Sequence, residues 1–112
     1  MERLEQYRDS IKQLIEKYSS RPYRYGDVEW QKIMDDDHDH YQLLLAGWQN
    51  DLRQYGIVIH MNIKPDGKIW IQYDGTEDGV ANELVDLGVL KSDIVLAYKS
   101  EYMRQYTDFA VN

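Results

Sequence analysis

From Val28 to Asp74 the apolar residues recur with a period near two, and the breaks between the alternating runs are only a few residues long. Parallel neighbours in a sheet need a crossover of a dozen or more residues, so strands joined this tightly must run antiparallel. In the first run Val28, Trp30 and Met34 fit one face, Lys32 interrupts it, and Ile33 faces the other way. The acidic stretch Asp35-Asp36-Asp37-His38-Asp39 reads as a connection. His40 to Trp48 forms a second strand, closed by the turn residues Gln49-Asn50-Asp51. A third runs from Arg53 to Lys64 around Ile57, Val58, Ile59, Met61 and Ile63. Pro65-Asp66-Gly67 turns the chain into a fourth, Lys68 to Asp74, where Ile69, Ile71 and Tyr73 alternate against Trp70 and Gln72. The pattern predicts a four-stranded antiparallel meander.

Helical spacing brackets this sheet. Over residues 2–19, Leu4, Tyr7, Ile11, Leu14, Ile15 and Tyr18 recur at intervals of three and four, which predicts a long amphipathic helix. Ser19-Ser20-Arg21-Pro22 ends it, because a residue before proline is pushed out of the α region. After the strands, Thr76 is placed as the N-cap of a second helix whose buried face is Val80, Leu84 and Leu87, flanked by Ala81 and Val85. Gly88 stands where a left-handed residue closes a helix. Asp93-Ile94-Val95-Leu96 is a short apolar segment, strand or core-packed turn. Ser100 to Gln105 adds a helical turn before an extended Phe109-Ala110-Val111 tail. Two helices on one side of one sheet make a two-layer α+β sandwich. At 112 residues, residues 1–112 are expected to form a single domain.

Composition excludes several classes of function. The chain has no cysteine, so disulfides, thiol catalysis and Cys-based zinc or iron–sulfur sites are ruled out. The start, Met-Glu-Arg-Leu-Glu-Gln, lacks the apolar stretch of a secretory signal, and no apolar run is long enough for a membrane helix, which sets the cytoplasm as the expected location. Thirteen Lys and Arg against 20 Asp and Glu give a net charge of −7. Binding to the DNA backbone needs clustered basic residues, so direct nucleic-acid binding is not expected. An acidic domain suits docking on a basic partner.

The segment from Asp35 to His40 is the one place where metal chemistry is conceivable. It holds four aspartates and two histidines, residue types that suit zinc, manganese or nickel. On a strand His38 and His40 would share a side, and His60 could approach them, which makes a small metal-dependent hydrolase the alternative reading. The ordinary reading of such a run between strands is a solvated loop, and no metal or cofactor is assigned. An EF-hand is excluded by the missing central glycine and terminal glutamate. There is no strand–Gly-x-Ser-x-Gly–helix elbow and no phosphate-loop spacing. No catalytic residue is therefore assigned. Ten tyrosines and three tryptophans are a heavy aromatic load. Tyr98, Tyr102 and Tyr106 recur at helical spacing beside Arg104, which suits a contact strip, although core packing is the common account of such spacing.

Taken in order, Tyr25-Gly26-Asp27, Asp39-His40-Tyr41-Gln42-Leu43, Gly47-Trp48, Tyr55-Gly56 with Val58-Ile59-His60, Gly67-Lys68-Ile69-Trp70-Ile71-Gln72, Gly75-Thr76-Glu77, Glu83-Leu84, Asp93-Ile94-Val95-Leu96 and the ending Arg104 to Ala110 form a specific combination. With it the chain resembles the XisI family, the fdxN-element excision controlling factors of cyanobacteria. The resemblance implies a non-catalytic accessory factor that acts with a companion, XisH, of restriction-endonuclease-like fold, in programmed excision of a DNA element. It carries no catalytic residue over to this chain. The expected partner contact is Tyr102, Arg104, Tyr106 and Phe109, near a chain end that can reach outward.

Overall fold

The computed structural model describes residues 2–22 and 26–112, so Tyr25 of the Tyr25-Gly26-Asp27 motif lies outside the described residues. Helix α1 (Arg3–Ser19) is followed by β1 (Asp27–Asp35), β2 (His40–Gln49), β3 (Leu52–Ile63) and β4 (Ile69–Asp74). Helix α2 (Val80–Asp86) and a 3₁₀ turn at Lys91–Asp93 lead into β5 (Ile94–Leu96), and α3 (Glu101–Arg104) precedes the tail. The sheet order is β1-β2-β3-β4-β5. The first four strands pair antiparallel, as the short turns require. β5 corrects the four-stranded expectation: it adds a fifth strand, parallel to β4. A parallel neighbour is possible only here, because α2 supplies the crossover that the tight turns elsewhere lack.

Both α1 and α2 lie on one face of the sheet. Tyr7, Ile11, Leu14, Ile15 and Tyr18 of α1 and Val80, Ala81 and Leu84 of α2 meet Tyr41, Leu43, Ile59, Met61, Ile63, Ile69, Ile71, Ile94 and Leu96 in one core. Two register shifts, beside Val58 in β3 and beside Gln72 in β4, break the ladder. Such bulges increase twist and let the sheet curve around the helices. The polar Lys32 is accounted for by its place on edge strand β1: its Nζ reaches Glu16 of α1 at 2.8 Å. Gly47 sits where β1 and β2 close together; a Cβ there would stand 2.1 Å from the Asp27 carbonyl oxygen.

The second helix starts later than its sequence suggests. Its N-cap position is Gly79, and Thr76 belongs to the preceding turn. The capping carboxylate is Asp74, which accepts the Thr76 N–H at 2.9 Å, the Thr76 hydroxyl at 2.6 Å and the Val80 N–H at 2.9 Å. A carboxylate reaching forward from the last residue of β4 takes the first helical N–H, while the Thr76 hydroxyl accepts only the Gly79 N–H at 3.2 Å, and the carboxylate suits the positive end of the helix. Leu87, expected in the core, is largely exposed, and Val89 fills that place instead.

The helix end explains the exchange. Gly88 has φ +102°, its N–H bonds the Val85 carbonyl at 3.0 Å, and the Val89 N–H bonds the Leu84 carbonyl at 3.0 Å. This paired arrangement is a Schellman motif, and it drives the residue after the glycine back onto the core. Nothing lies within 4 Å of a Cβ built on Gly88, so only backbone strain opposes substitution. Gly88→Val should therefore lower stability by about 1–3 kcal/mol, read from the urea midpoint. An unchanged midpoint would show that the positive φ is not needed.

Candidate functional site

The acidic run is bonded into the structure from within. At the end of β1 the Asp35 carboxylate accepts the N–H groups of Asp37 (2.9 Å) and His38 (3.1 Å), which folds the turn. Asp39 then takes a left-handed φ of 56°, which aspartate tolerates better than most residues. Its two oxygens receive the fork of Arg8, at 2.7 Å from Nε and 3.1 Å from Nη2. Lys12 reaches Asp36 at 2.8 Å. The buried Tyr41 hydroxyl lies 2.8 Å from Asp36 and 2.9 Å from Asp39.

These contacts set the protonation states. The Arg8 fork holds Asp39 below the usual carboxylate range, and Lys12 followed by Tyr41 does the same for Asp36. Burial, reinforced by the two aspartates, pushes the Tyr41 phenol up, so it stays a donor. The run is thus a clamp between α1 and the β1–β2 turn. His38 lies in that turn, 2.8 Å from Asp35, rather than on a strand beside His40. His40 opens β2, and its ring centroid is 5.9 Å from that of His60. Only two of the three histidines come together, and no group of three or more His, Asp or Glu suited to a metal occurs among the described residues.

The opposite face of the sheet is built differently. The register lines up rows across β1, β2 and β3: Ile33 with Gln42 and His60, Gln31 with Leu44 and Ile57, Glu29 with Ala46 and Tyr55, and Asp27 with Trp48 and Arg53. Ile33 is 47% exposed and Ile57 39%, with Trp48 and Tyr55 more open still. The Arg53 guanidinium lies 5.5 Å from the Trp48 ring and 5.4 Å from that of Tyr55. His60 Nε2 is buried and makes no hydrogen bond. Burial, and then the neighbouring His40, holds the His60 pKa below its ordinary value, so the imidazole is neutral at pH 7. Sequence reasoning did not single out this surface. Its signals were Ile33 and Ile57, apolar residues on the side of their strands that faces away from the helices.

The C-terminal segment covers the β4–β5 end of that same face. Val95 of β5, paired with Trp70, is fully buried although it points away from the helices, and it bridges to Ala110. Of the residues expected to contact a partner, Tyr102 and Tyr106 are each 67% exposed, with hydroxyls 3.1 Å apart and rings edge to face at 5.6 Å. The core reading of the tyrosine stripe is thereby corrected, since Tyr98 is also exposed. The chain leaves the helix after Arg104, and four residues are too few to bury a stripe. Arg104 turns inward and bonds the carbonyls of Leu96 (3.2 Å), Lys99 (3.0 Å), Val111 (3.2 Å) and Ala97 (3.5 Å). Its guanidinium lies 5.2 Å from the Trp70 ring. Phe109 packs half-buried against the core.

A family model described as XisI protein matches residues 1–111. The chain belongs to the XisI family. A crystallised XisI-like protein from Anabaena variabilis is 45% identical, with 97% of this chain and 99% of that one covered and a TM-score of 0.90. The fdxN element excision controlling factor XisI, also from Anabaena variabilis, is 31% identical, with 99% and 100% covered and a TM-score of 0.84. No functionally curated protein matches the chain. No described helix of this XisI-family chain is long and apolar enough to cross a membrane.

Two outcomes follow from the bonded clusters. Tyr41→Phe removes a buried hydroxyl bonded to charged groups and should cost about 2 kcal/mol at neutral pH. Asp36 and Asp39 have folded pKa values below their unfolded ones, so their contribution is present above the unfolded range and is lost as pH falls below about 4. The variant, with those values moved back up, should lose less stability on acidification; equal slopes in urea titrations at pH 3 to 5 would contradict the clamp. Arg104→Ala should release the tail at a cost of about 2 kcal/mol and speed hydrogen exchange at the Ala110 N–H, which bonds Ile94. Unchanged exchange there would mean that the tail is held by other contacts.

Proposed function

We propose that this XisI-family chain is a non-catalytic accessory factor that works by binding a XisH-like, nuclease-fold protein in DNA-element excision or related DNA processing. The observation that carries this reading is where the polar and apolar groups are placed. Of the side chains that suggested a metal site, Asp36 and Asp39 hold the β1–β2 turn to α1, Asp35 and His38 bond each other within it, and His40 lies beside His60. Large apolar and aromatic side chains, by contrast, stand exposed on the sheet and on α3. Exposed residues of these types are what an interface uses. The Anabaena relative named as an excision controlling factor supplies the biological setting.

In this reading Tyr102 and Tyr106 touch the partner, whereas Arg104 and Phe109 act by keeping their segment in place. The net charge of −7 favours a partner whose own DNA-binding surface is basic. Location in the cytoplasm accords with such a role. Co-expression with the XisH-like protein should give one complex on size-exclusion chromatography at low and moderate salt, and separate elution of two folded proteins at both would defeat the proposal. The isolated chain should bind duplex DNA more weakly than the ~10⁻⁴–10⁻⁶ M of non-specific binders at physiological salt. A micromolar dissociation constant would point to direct DNA binding instead.

A further inference from the structure

We infer that, besides Tyr102 and Tyr106, the face formed by β1, β2 and β3 is a docking surface, and that its occupant is a protein presenting an apolar centre rimmed by lysine and arginine. This deepens the partner-binding proposal above and rests on it.

The apolar half of the argument comes from the register. Ile33, Ile57, Trp48 and Tyr55 stand on one continuous face, around the buried Leu44 and Ala46 of the central strand. Neither α1 nor α2 packs on that side, and the C-terminal segment closes only the β4–β5 end. His60, neutral at pH 7, sits in the same rows, so covering it desolvates no charge. A surface with several adjacent large apolar groups, rimmed by polar ones, is the form of a binding site rather than of a solvated sheet.

The charged half comes from how the acids are used. On the helix side Glu16, Asp36, Asp39 and Glu83 are paired with Lys32, Lys12, Arg8 and Lys17. On the open side of β1, Asp27 and Glu29 pair with no cation among the described residues. The cation in the row of Asp27, Arg53, lies against the Trp48 and Tyr55 rings. A second copy of this chain would bring the same acids, and another charge of −7, against the first. Like charges set face to face select against that pairing, and a basic rim on a different protein completes it. Affinity then comes from the apolar centre, and Asp27 and Glu29 raise the association rate and choose the partner.

The test uses the 112-residue chain co-expressed with the XisH-like protein. Ile33→Asp/Ile57→Asp should elute alone while keeping the wild-type circular dichroism spectrum. Asp27→Lys/Glu29→Lys, at exposed positions that do not threaten folding, should associate about tenfold more slowly at low salt and match wild type at about 0.5 M salt. A complex of unchanged affinity with the folded aspartate variant, or unchanged association of the lysine variant at low salt, overturns this surface while leaving the partner standing. Separate elution of the wild-type proteins removes the partner itself, and this surface with it. A homodimer of the isolated chain broken by Ile33→Asp/Ile57→Asp would assign the face to a second copy and overturn the basic occupant.

Discussion

Five strands spaced about 4.8 Å apart make a sheet roughly 20 Å wide, and two helices each about 10 Å across cover that width only once. Helix α1 has 17 residues and α2 has 7, and both are spent on one face. The four-residue α3 cannot serve as a third covering helix. The other face is therefore left to its own side chains and to whatever the C-terminal segment reaches. That segment reaches β5 and Trp70 and stops there, held by the Arg104 guanidinium on four carbonyl groups. The strands farthest from it, β1 to β3, keep an open surface as a consequence of helix supply.

The same shortage explains why charged groups gather where α1 meets the sheet. A long helix packed on a sheet needs its angle and height set at more than one point. Packing supplies one point through Ile11 and Ile15, both fully buried. The Arg8–Asp39 and Lys12–Asp36 pairs supply a second at the β1–β2 turn, and the hydrogen bond from Tyr18 to Glu83 ties α1 to α2. Burial and Glu83 push the Tyr18 phenol up to about 12, so it too remains a donor. Exposed pairs of this kind contribute little individually. Linked through a buried tyrosine hydroxyl they fix geometry, which is the service the acidic run performs.

What could be read in the sequence followed from local chemistry. The meander is legible because a period of two and short turns leave few alternatives, and the Gly88 cap because a glycine after an apolar helix face has a specific backbone task. Three features were left open or hidden because each depends on a distant residue. Ile94–Leu96 becomes a strand only when β4 lies beside it. Asp74 caps α2 across an intervening turn, which displaces Thr76 from the role its spacing suggested. Arg104 reads as a surface cation beside two tyrosines, yet the tail folds so that its planar fork meets carbonyls on both sides of α3. The XisI-family motifs identified the chain, but motif order says nothing about which face is covered.

An exposed apolar sheet face carries a hazard, since edge strands offer unpaired backbone groups to other chains. Here both edges are guarded. β1 carries Asp27, Glu29, Lys32 and Asp35 along its length, and charges on an edge strand resist pairing with another edge. β5 is covered by the tail, whose Ala110 bridges Val95 and bonds Ile94 at 2.8 Å. With the edges closed, association through the backbone is disfavoured while association through the face stays open. Side-chain contact then decides what binds, and it discriminates where a free edge would not. On the partner-binding reading proposed above, the fold can therefore leave Ile33 and Ile57 in water, because its edges are charged or capped.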